Sequence, residues 1–90
     1  MQIEQQIFVV TGAAQGLGRA ISLKLAERGA KLALLDVNEA GLAQTEEACQ
    51  AFGNVCQTYV CNVADEEKVV TTFDSIGHDL GPIATLHTYV

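Results

Sequence analysis

The chain has 90 residues, of which 49% are hydrophobic and 18% are charged, with a single proline. This composition is typical of a compact globular chain and excludes disordered and collagen-like proteins, and the length allows one small domain over residues 1–90, which we expect to be partial. The formal net charge of -6 leaves no basic stripe that could neutralise a phosphate backbone, so no nucleic acid partner is expected.

Short apolar runs alternate with helical periodicity along the chain, and glycine marks several of the boundaries. Strands are predicted at residues 7–11, 31–35, 55–61 and 83–90, and helices at 16–28, 38–52 and 65–76. The first strands are unbroken apolar runs, which is typical of strands buried on both faces of a parallel sheet. The alternation indicates right-handed βαβ units, so the predicted fold class is α/β: the N-terminal half of a doubly wound, Rossmann-like βαβαβαβ sheet, truncated.

The two later helices carry apolar stripes that predict their inward faces. Asn38 is expected to cap the second helix. The predicted core of that helix contains Leu42, Thr45, Cys49 and Phe52. The third helix is expected to end before Gly77 and to direct four apolar residues to one side, namely Val69, Val70, Phe73 and Ile76.

No apolar run approaches the roughly 20 residues of a membrane span, and the first residues, MQIEQQ, lack the pattern of a signal peptide. We therefore expect a cytoplasmic protein without a membrane partner. Cys49, Cys56 and Cys61 are an odd number without CxxC spacing, which fits neither a disulfide framework nor a zinc site. They are interpreted as reduced, semi-buried thiols, and no metal site is predicted.

Residues 11–18 (TGAAQGLG) place three glycines between the first strand and the first helix. The pyrophosphate of a dinucleotide needs backbone N–H groups and the positive end of a helix, which a turn without side chains can present. Gly12 would permit the tight turn, Gly16 the approach of the phosphates, and Gly18 the close packing of helix on sheet. The G-x3-G-x-G spacing is not that of a P-loop. A plain glycine loop is the alternative, which the flanking strand and helix disfavour.

Asp36 ends the second strand, 20 residues past Gly16, where a carboxylate can accept hydrogen bonds from the ribose hydroxyls of adenosine. Its charge would repel a 2′-phosphate, so NAD is the predicted cofactor in preference to NADP. An exposed carboxylate at a strand end is the alternative. Arg19 is a reservation to the NAD preference, because a nearby cation could accommodate the extra phosphate.

With residues 11–18, Asp36 and the pair Asn62-Val63, the chain resembles the N-terminal part of the short-chain dehydrogenase/reductase family over about residues 5–83. It is most similar to the bacterial members that resemble 3-oxoacyl-acyl carrier protein reductase. The resemblance implies hydride transfer between a nicotinamide cofactor and an alcohol, ketone or 3-oxoacyl substrate. It also implies cofactor contacts at Gly12, Ala14, Gln15, Gly16, Leu17, Gly18, Asp36, Asn62 and Val63.

Family members carry Asp-Val after the third strand, where the carboxylate accepts from the adenine amino group and the Val N–H meets a ring nitrogen. Asn62 retains an acceptor oxygen, so the resemblance implies adenine recognition with a weaker hydrogen bond. The alternative is that Asn62 is a turn residue before the third helix. Ala64 lies where Ser or Thr would make a better helix cap, which is expected to cost about 1 kcal/mol.

Catalysis in this family relies on a Tyr, a Lys four residues later and a Ser. The chain has no Tyr-x-x-x-Lys, because Val63 lies four residues after Tyr59 and Tyr89 is one residue from the end. The residues after Ile83 also differ from the family's Asn-Asn-Ala-Gly strand. We therefore predict no catalytic residue and interpret the chain as a truncated oxidoreductase, inactive alone. A non-catalytic nucleotide-binding or docking module, whose exposed sheet edge would invite self-association, is the alternative.

Overall fold

A computed structural model of the chain describes residues 6–81, within which three strands alternate with three helices. The elements are β1 (Ile7–Thr11), α1 (Gly16–Glu27), β2 (Lys31–Asp36), α2 (Glu39–Gln50), β3 (Cys56–Val60) and α3 (Glu66–Leu80). The predicted α/β fold class is confirmed, and each of these six elements lies where the sequence pattern placed one. The fourth predicted strand, at 83–90, lies outside the described residues.

The strands form a parallel sheet in the order β1-β2-β3, with Phe8 beside Leu32 and Leu34 beside Thr58. All residues of β1 and the middle four of β2 are buried. Successive side chains of a strand point to opposite faces, so residues 7–10 of β1 and 32–35 of β2 are all apolar because both faces of the sheet are covered there. The unbroken apolar runs in the sequence are the consequence.

Different helices cover the two faces of the sheet. One face packs under α1 and α2, and its core contains Phe8, Val10, Leu32, Leu34, Leu42 and Cys49. The other face packs under α3, and its core contains Ile7, Val9, Ala33, Leu35 and Ile76, with Val69, Phe73 and Leu80 partly buried against them. Helices on both faces of a parallel sheet are the doubly wound arrangement that the sequence predicts.

The third helix continues one turn past its predicted end, to Leu80. Glycine inside a helix costs only about 1 kcal/mol relative to alanine, so Gly77 does not stop it. Tertiary contacts hold the extra turn: Leu80 packs against the core under α3, and the Tyr59 hydroxyl donates to Oδ2 of Asp79 at 2.9 Å. Gly81 follows the helix as its C-cap, with a φ of 103° in the region that favours glycine.

The third helix also begins one residue later than predicted. Asp65 is its N-cap, and Oδ1 of Asp65 accepts a hydrogen bond from the Lys68 N–H at 3.2 Å. The expectation that Ala64 occupies the cap position is therefore wrong. Asn38 caps α2 as predicted, accepting from the Gly41 N–H at 3.0 Å.

The cap of α3 provides a test by mutation. Asp65→Ala should lower the free energy of unfolding by about 1 kcal/mol, because it removes the acceptor for the Lys68 N–H. Ala64→Ser is the control and should change the stability by less than about 0.5 kcal/mol, because residue 64 precedes the cap. Urea unfolding followed by circular dichroism measures both. A stabilising Ala64→Ser together with a neutral Asp65→Ala would contradict the cap assignment.

Two apolar residues that were expected in the core lie at the surface. Phe52 is 49% exposed, because α2 ends at Gln50 and no longer directs this side chain inward. Val70 is 61% exposed, because it lies about 100° around α3 from Val69, outside the stripe that meets the sheet. The apolar stripe of α3 that meets the sheet is therefore narrower than predicted: it contains Val69, Phe73 and Ile76 but not Val70.

The three cysteines are free thiols, and all three are buried where semi-buried positions were expected. The hydrogen bond between Cys49 and Cys56, together with burial, raises the pKa of the Cys56 thiol. A buried, protonated thiol is unreactive and packs as a small apolar group. Among residues 6–81, no group of three or more His, Cys, Asp and Glu side chains could hold a metal ion.

The hydrogen bond between Tyr59 and Asp79 predicts a pH-dependent stability. Burial, followed by this hydrogen bond and the charge of Asp79, raises the pKa of Tyr59. The stabilisation is fully present below the unfolded tyrosine pKa of about 10 and is lost as the pH rises from there through the folded pKa. Tyr59→Phe should be less stable than the wild type at neutral pH, by under about 1 kcal/mol for a partly exposed pair.

The difference between Tyr59→Phe and the wild type should shrink above a pH of about 10. Urea midpoints of both proteins, measured from neutral to alkaline pH, test this expectation. The other groups that titrate in that range are present in both proteins, so their contributions cancel in the difference. A stability difference that stays constant, or that grows in alkaline solution, would contradict it.

Candidate functional site

The turn between β1 and α1 is shaped by its three glycines. Gly12 and Gly16 have φ values of 65° and 58°, in the left-handed region that favours glycine. A Cβ placed on Gly16 would meet no atom within 4 Å, so the backbone is open to approach at this point. A Cβ on Gly18 would lie 2.0 Å from the carbonyl oxygen of Gly12. The glycines thus give the turn its bend, its open face and its close contact with α1.

The helix that follows the turn begins without a side-chain cap. Gln15 is the N-cap residue with an extended backbone, its side chain makes no capping hydrogen bond, and the first turn contains no acidic residue. As the first N–H groups of a helix, those of Gly16, Leu17 and Gly18 have no acceptor within the helix. Together with the helix dipole, these groups favour an anion at this end of α1.

Asp36 joins the glycine turn to the end of β2. Its Oδ2 accepts from the Ala14 N–H at 3.0 Å, and its Oδ1 accepts from the Asn38 N–H at 3.1 Å. The carboxylate is half-buried, so the alternative of a merely exposed strand-end residue does not describe it. A carboxylate has about four lone-pair positions, which leaves two for the hydroxyl groups of a ligand.

Asn62 follows β3 and forms the turn that leads to α3. Its Oδ1 accepts from the Ala64 N–H at 3.0 Å, and its carbonyl oxygen accepts from the Asp65 N–H at 2.9 Å. This is the turn role that the sequence left open as the alternative. Asn62 and Val63 are both exposed, and the amide oxygen of Asn62 keeps a second lone pair. A ligand contact at this side chain is compatible with the turn.

A pocket of about 190 Å³ opens where the three strands end. It is smaller than the roughly 300–1,000 Å³ of a complete small-molecule site, which suits one end of an extended ligand. Its lining residues are Thr11, Gly12, Leu35, Asp36, Val37, Cys61, Asn62 and Val63. Four of the predicted contact residues therefore line one pocket: Gly12, Asp36, Asn62 and Val63. The other five belong to the adjoining turn and helix start: Ala14, Gln15, Gly16, Leu17 and Gly18.

Sequence reasoning missed the contacts that α2 makes with the glycine turn. A Cβ on Gly41 would lie 2.8 Å from the Cβ of Ala14, so only glycine lets α2 come this close. Thr45 is fully buried, and its hydroxyl donates to the carbonyl oxygen of Ala13 at 2.8 Å. The sequence signal for these contacts is a threonine on the inward stripe of α2 with a glycine four residues before it. This pattern alone does not show that α2 contacts the glycine turn.

Arg19 forms hydrogen bonds where α2 contacts the glycine turn. Its Nε donates to Oγ1 of Thr45 at 2.9 Å, and its Nη2 donates to the carbonyl oxygen of Ala14. The same Nη2 also donates to the carbonyl oxygen of Gly41 at 3.3 Å and to Oε1 of Gln44 at 3.2 Å. Arg19 does not line the pocket. The guanidinium is held between α1, α2 and the turn.

A parallel sheet covered on both faces, with a glycine turn at the uncapped start of a helix and a carboxylate ending the next strand, defines an α/β fold of the dinucleotide-binding class. The family model of short chain dehydrogenases matches residues 6–89. The chain belongs to this family. The nicotinamide cofactor that the sequence predicts is therefore supported at the level of NAD or NADP.

Among curated relatives, the Mycobacterium tuberculosis protein SadH is 40% identical over 80 residues, covering 89% of this chain and 29% of SadH. Human short-chain dehydrogenase/reductase 3 is 31% identical over 85 residues, covering 93% of this chain and 28% of the relative. The chain thus spans less than a third of the length of either relative.

Among solved structures, that of NAD+-bound xylitol dehydrogenase matches with a TM-score of 0.90 and 38% identity, over 96% of this chain and 33% of the other. Levodione reductase matches with a TM-score of 0.86 and 32% identity, over 92% of this chain and 33% of the other. The fold of the chain is therefore that of the N-terminal third of these enzymes.

Proposed function

We propose that this chain binds the adenosine and pyrophosphate part of NAD, as the N-terminal part of a short-chain oxidoreductase. The observation that carries the proposal is the position of the Asp36 carboxylate, which lines the pocket and is bonded to the Ala14 N–H of the glycine turn. The ribose group and the phosphate group of one ligand can therefore contact adjoining parts of the same surface.

The pyrophosphate is assigned to the turn and to the first N–H groups of α1, with contacts at Gly12 and at residues 14–18. The open space at Gly16 supports this assignment, because a phosphate must come close to the backbone there. The ribose is assigned to Asp36. The adenine is assigned to Asn62 and Val63, because the N–H groups of the next two residues, Ala64 and Asp65, already donate to Asn62 within the turn.

The preference for NAD over NADP rests on charge. Asp36 contributes a carboxylate to the pocket, and the lining residues include no Lys or Arg that could neutralise a 2′-phosphate. Arg19, the cation that raised a reservation, already donates to oxygens of Ala14, Gly41, Gln44 and Thr45. A phosphate beside Asp36 would add like charge in a half-buried place, which is unfavourable.

A bound nicotinamide would accept or supply a hydride, while the residues of this chain would bind and orient the cofactor. We propose that the chain does not turn over substrate alone, because its sequence has no Tyr-x-x-x-Lys. An alcohol, ketone or 3-oxoacyl substrate, and the similarity to 3-oxoacyl-acyl carrier protein reductase, stay predictions from the sequence. The partial domain over residues 1–90 is likewise a proposal.

Isothermal titration of the full chain with NAD+ and NADP+ tests the proposed function. We expect saturable binding of NAD+ in about the micromolar range, and binding of NADP+ at least about tenfold weaker, a free energy difference of roughly 1.4 kcal/mol. An absorbance assay with NAD(H) and a panel of alcohols and ketones should give no steady turnover. Absence of NAD+ binding, or steady turnover, would contradict the proposal.

We also propose that the chain self-associates through its sheet edge. Within residues 6–81, β3 ends the sheet on one side, and Phe52, Val55 and Val60 near it are each nearly half exposed. Exposed apolar side chains beside unpaired strand groups favour association with another chain. Size-exclusion chromatography should give an apparent mass above that of a monomer, and a monomer at all concentrations would contradict this proposal.

The alternative of a non-catalytic nucleotide-binding module shares the same site and differs in what NAD+ does to the free chain. Saturable NAD+ binding is expected in both cases. A chain that is monodisperse before NAD+ is added favours the module, whereas a chain that associates until NAD+ is added favours a dependent part of a larger enzyme. Of the helices within residues 6–81, none combines the length and hydrophobicity that crossing a membrane requires. The cytoplasmic location stays a prediction from the sequence.

A further inference from the structure

We propose that Arg19 is a positioning residue that sets the direction of the N–H groups in the glycine turn by fastening the turn to α2. The inference rests on the proposed function, in which that turn receives the pyrophosphate. Arg19 follows Gly18 at the start of α1, so it is near the turn in sequence. Its acceptors on α2, Gly41, Gln44 and Thr45, lie 22 to 26 residues away.

The guanidinium closes a small network around two consecutive carbonyl groups of the turn. Thr45 donates its hydroxyl to the carbonyl oxygen of Ala13 and accepts from Nε of Arg19 with the same oxygen atom, Oγ1. Nη2 of Arg19 donates to the carbonyl oxygen of Ala14. Both carbonyl groups are therefore drawn toward α2, and the side chains of Ala13 and Ala14 are fully buried.

Peptide geometry converts the direction of these carbonyl groups into the direction of N–H groups. In a planar trans peptide the N–H of the next residue points opposite to the carbonyl group. Holding the Ala13 carbonyl toward α2 sends the Ala14 N–H the other way, where it meets Asp36 at 3.0 Å. By the same geometry, holding the Ala14 carbonyl toward α2 directs the Gln15 N–H away from α2, beside the first N–H groups of α1.

Arginine is suited to this role in a way that lysine is not. Its planar guanidinium presents five N–H donors in a rigid fork and can bond several fixed oxygens at once. A lysine ammonium is a compact charge on a flexible stem and cannot span Oγ1 of Thr45 and the carbonyl oxygens of Ala14 and Gly41 in the same way. Gly41 completes the fit, because a Cβ there would lie 2.9 Å from the carbonyl oxygen of Ala14.

The ligand-binding test compares Arg19→Lys and Arg19→Gln with the control Arg28→Gln, an exposed arginine at the other end of α1. The full chain is titrated with ADP and with adenosine, followed by NMR. Both Arg19 variants should bind ADP about tenfold more weakly. Their affinity for adenosine should stay within about twofold of wild type, since Asp36 and Asn62 are unchanged. Arg28→Gln should leave both affinities unchanged.

Three outcomes of the titration would overturn the inference. An equal loss for ADP and adenosine would mean that Arg19 supports the fold in general. Full retention of ADP binding in Arg19→Lys would mean that the charge matters and the fork does not. A loss seen with 2′-AMP, titrated in the same way, but not with ADP would mean that Arg19 contacts a ribose phosphate.

Hydrogen exchange in the absence of ligand separates this inference from the proposed function. Arg19→Lys should speed the exchange of the Ala14 amide, which is bonded to Asp36, at least about tenfold and leave the core amides of β2, such as that of Leu34, unchanged. If wild-type protein binds no ADP but the exchange result is as expected, the proposed function fails and the positioning role stands. Unchanged exchange in the turn, or faster exchange throughout the chain, would overturn the positioning role.

Discussion

Gly18→Ala should lower the free energy of unfolding by about 3 kcal/mol or more, or prevent folding altogether. The added Cβ would lie 2.0 Å from the carbonyl oxygen and 2.6 Å from the carbonyl carbon of Gly12, and 3.1 Å from Cα of Ala13. These are backbone atoms that cannot rotate away as a flexible side chain would. Relief requires that α1 move off the turn, which would also separate it from the buried sheet.

Gly77→Ala is the matched control for this substitution. Gly77 is exposed in the interior of α3, and a Cβ there meets no atom within 4 Å. Alanine should therefore raise the stability by about 0.5–1 kcal/mol. Urea unfolding of both variants gives the comparison. A Gly18→Ala protein as stable as the wild type would contradict the described packing of α1 against the turn.

Asp36→Ala should weaken NAD+ binding by about 100-fold, or roughly 2.7 kcal/mol, and should abolish the preference for NAD+ over NADP+. The substitution removes the acceptor assigned to the ribose hydroxyls. It also removes the acceptor of the Ala14 N–H, which holds the glycine turn against β2. NADP+ should lose less affinity than NAD+, because the like charge beside its 2′-phosphate is gone.

Asp36→Asn separates these two effects, because the amide keeps an acceptor oxygen but not the charge. It should lose less NAD+ affinity than Asp36→Ala while still losing most of the discrimination against NADP+. Asp74→Ala, at an exposed carboxylate of α3, is the control and should bind as the wild type does. Isothermal titration with both cofactors measures all four proteins. An equal loss for NAD+ and NADP+ in both Asp36 variants would assign Asp36 to the fold alone.

The parts of the fold that the sequence predicts well are those that depend on local pattern. Residues 7–10 of β1 are apolar because both faces of the strand are covered, and Gly29 follows α1 with a φ of 88°. Asn38 caps α2 through a hydrogen bond to a residue only three positions away in the sequence. Each of these features is determined by neighbouring residues, so the sequence contains most of the information needed.

The errors arise where distant residues decide. The extra turn of α3 depends on Tyr59 and Asp79, which are 20 residues apart. The error of one residue at the start of α3 is local instead: Asp65 has the carboxylate acceptor that Ala64 lacks, and it takes the cap position. The local sequence pattern at a helix end does not indicate which strand residue will contact it.

The candidate site also contains features that a local pattern predicts and features that distant residues determine. The spacing of Gly12, Gly16 and Gly18 predicts a turn, and the structure gives that turn the expected bend and close packing. The network of Arg19 with Thr45 joins residues 26 apart and leaves no recognisable spacing in the sequence. The cofactor contacts themselves stay predictions, to be decided by binding experiments.

The central claim is that the glycine turn, Asp36 and the Asn62-Val63 pair form one site for adenosine diphosphate. Titration of the 15N-labelled full chain with ADP, followed by NMR, tests it most directly. The account predicts saturable shifts of amides in the turn and at the start of α1, together with those at Asp36 and Val63, with one common dissociation constant. No saturable shift, or shifts confined to the exposed face of α3 around Glu67 and Val70, would contradict it.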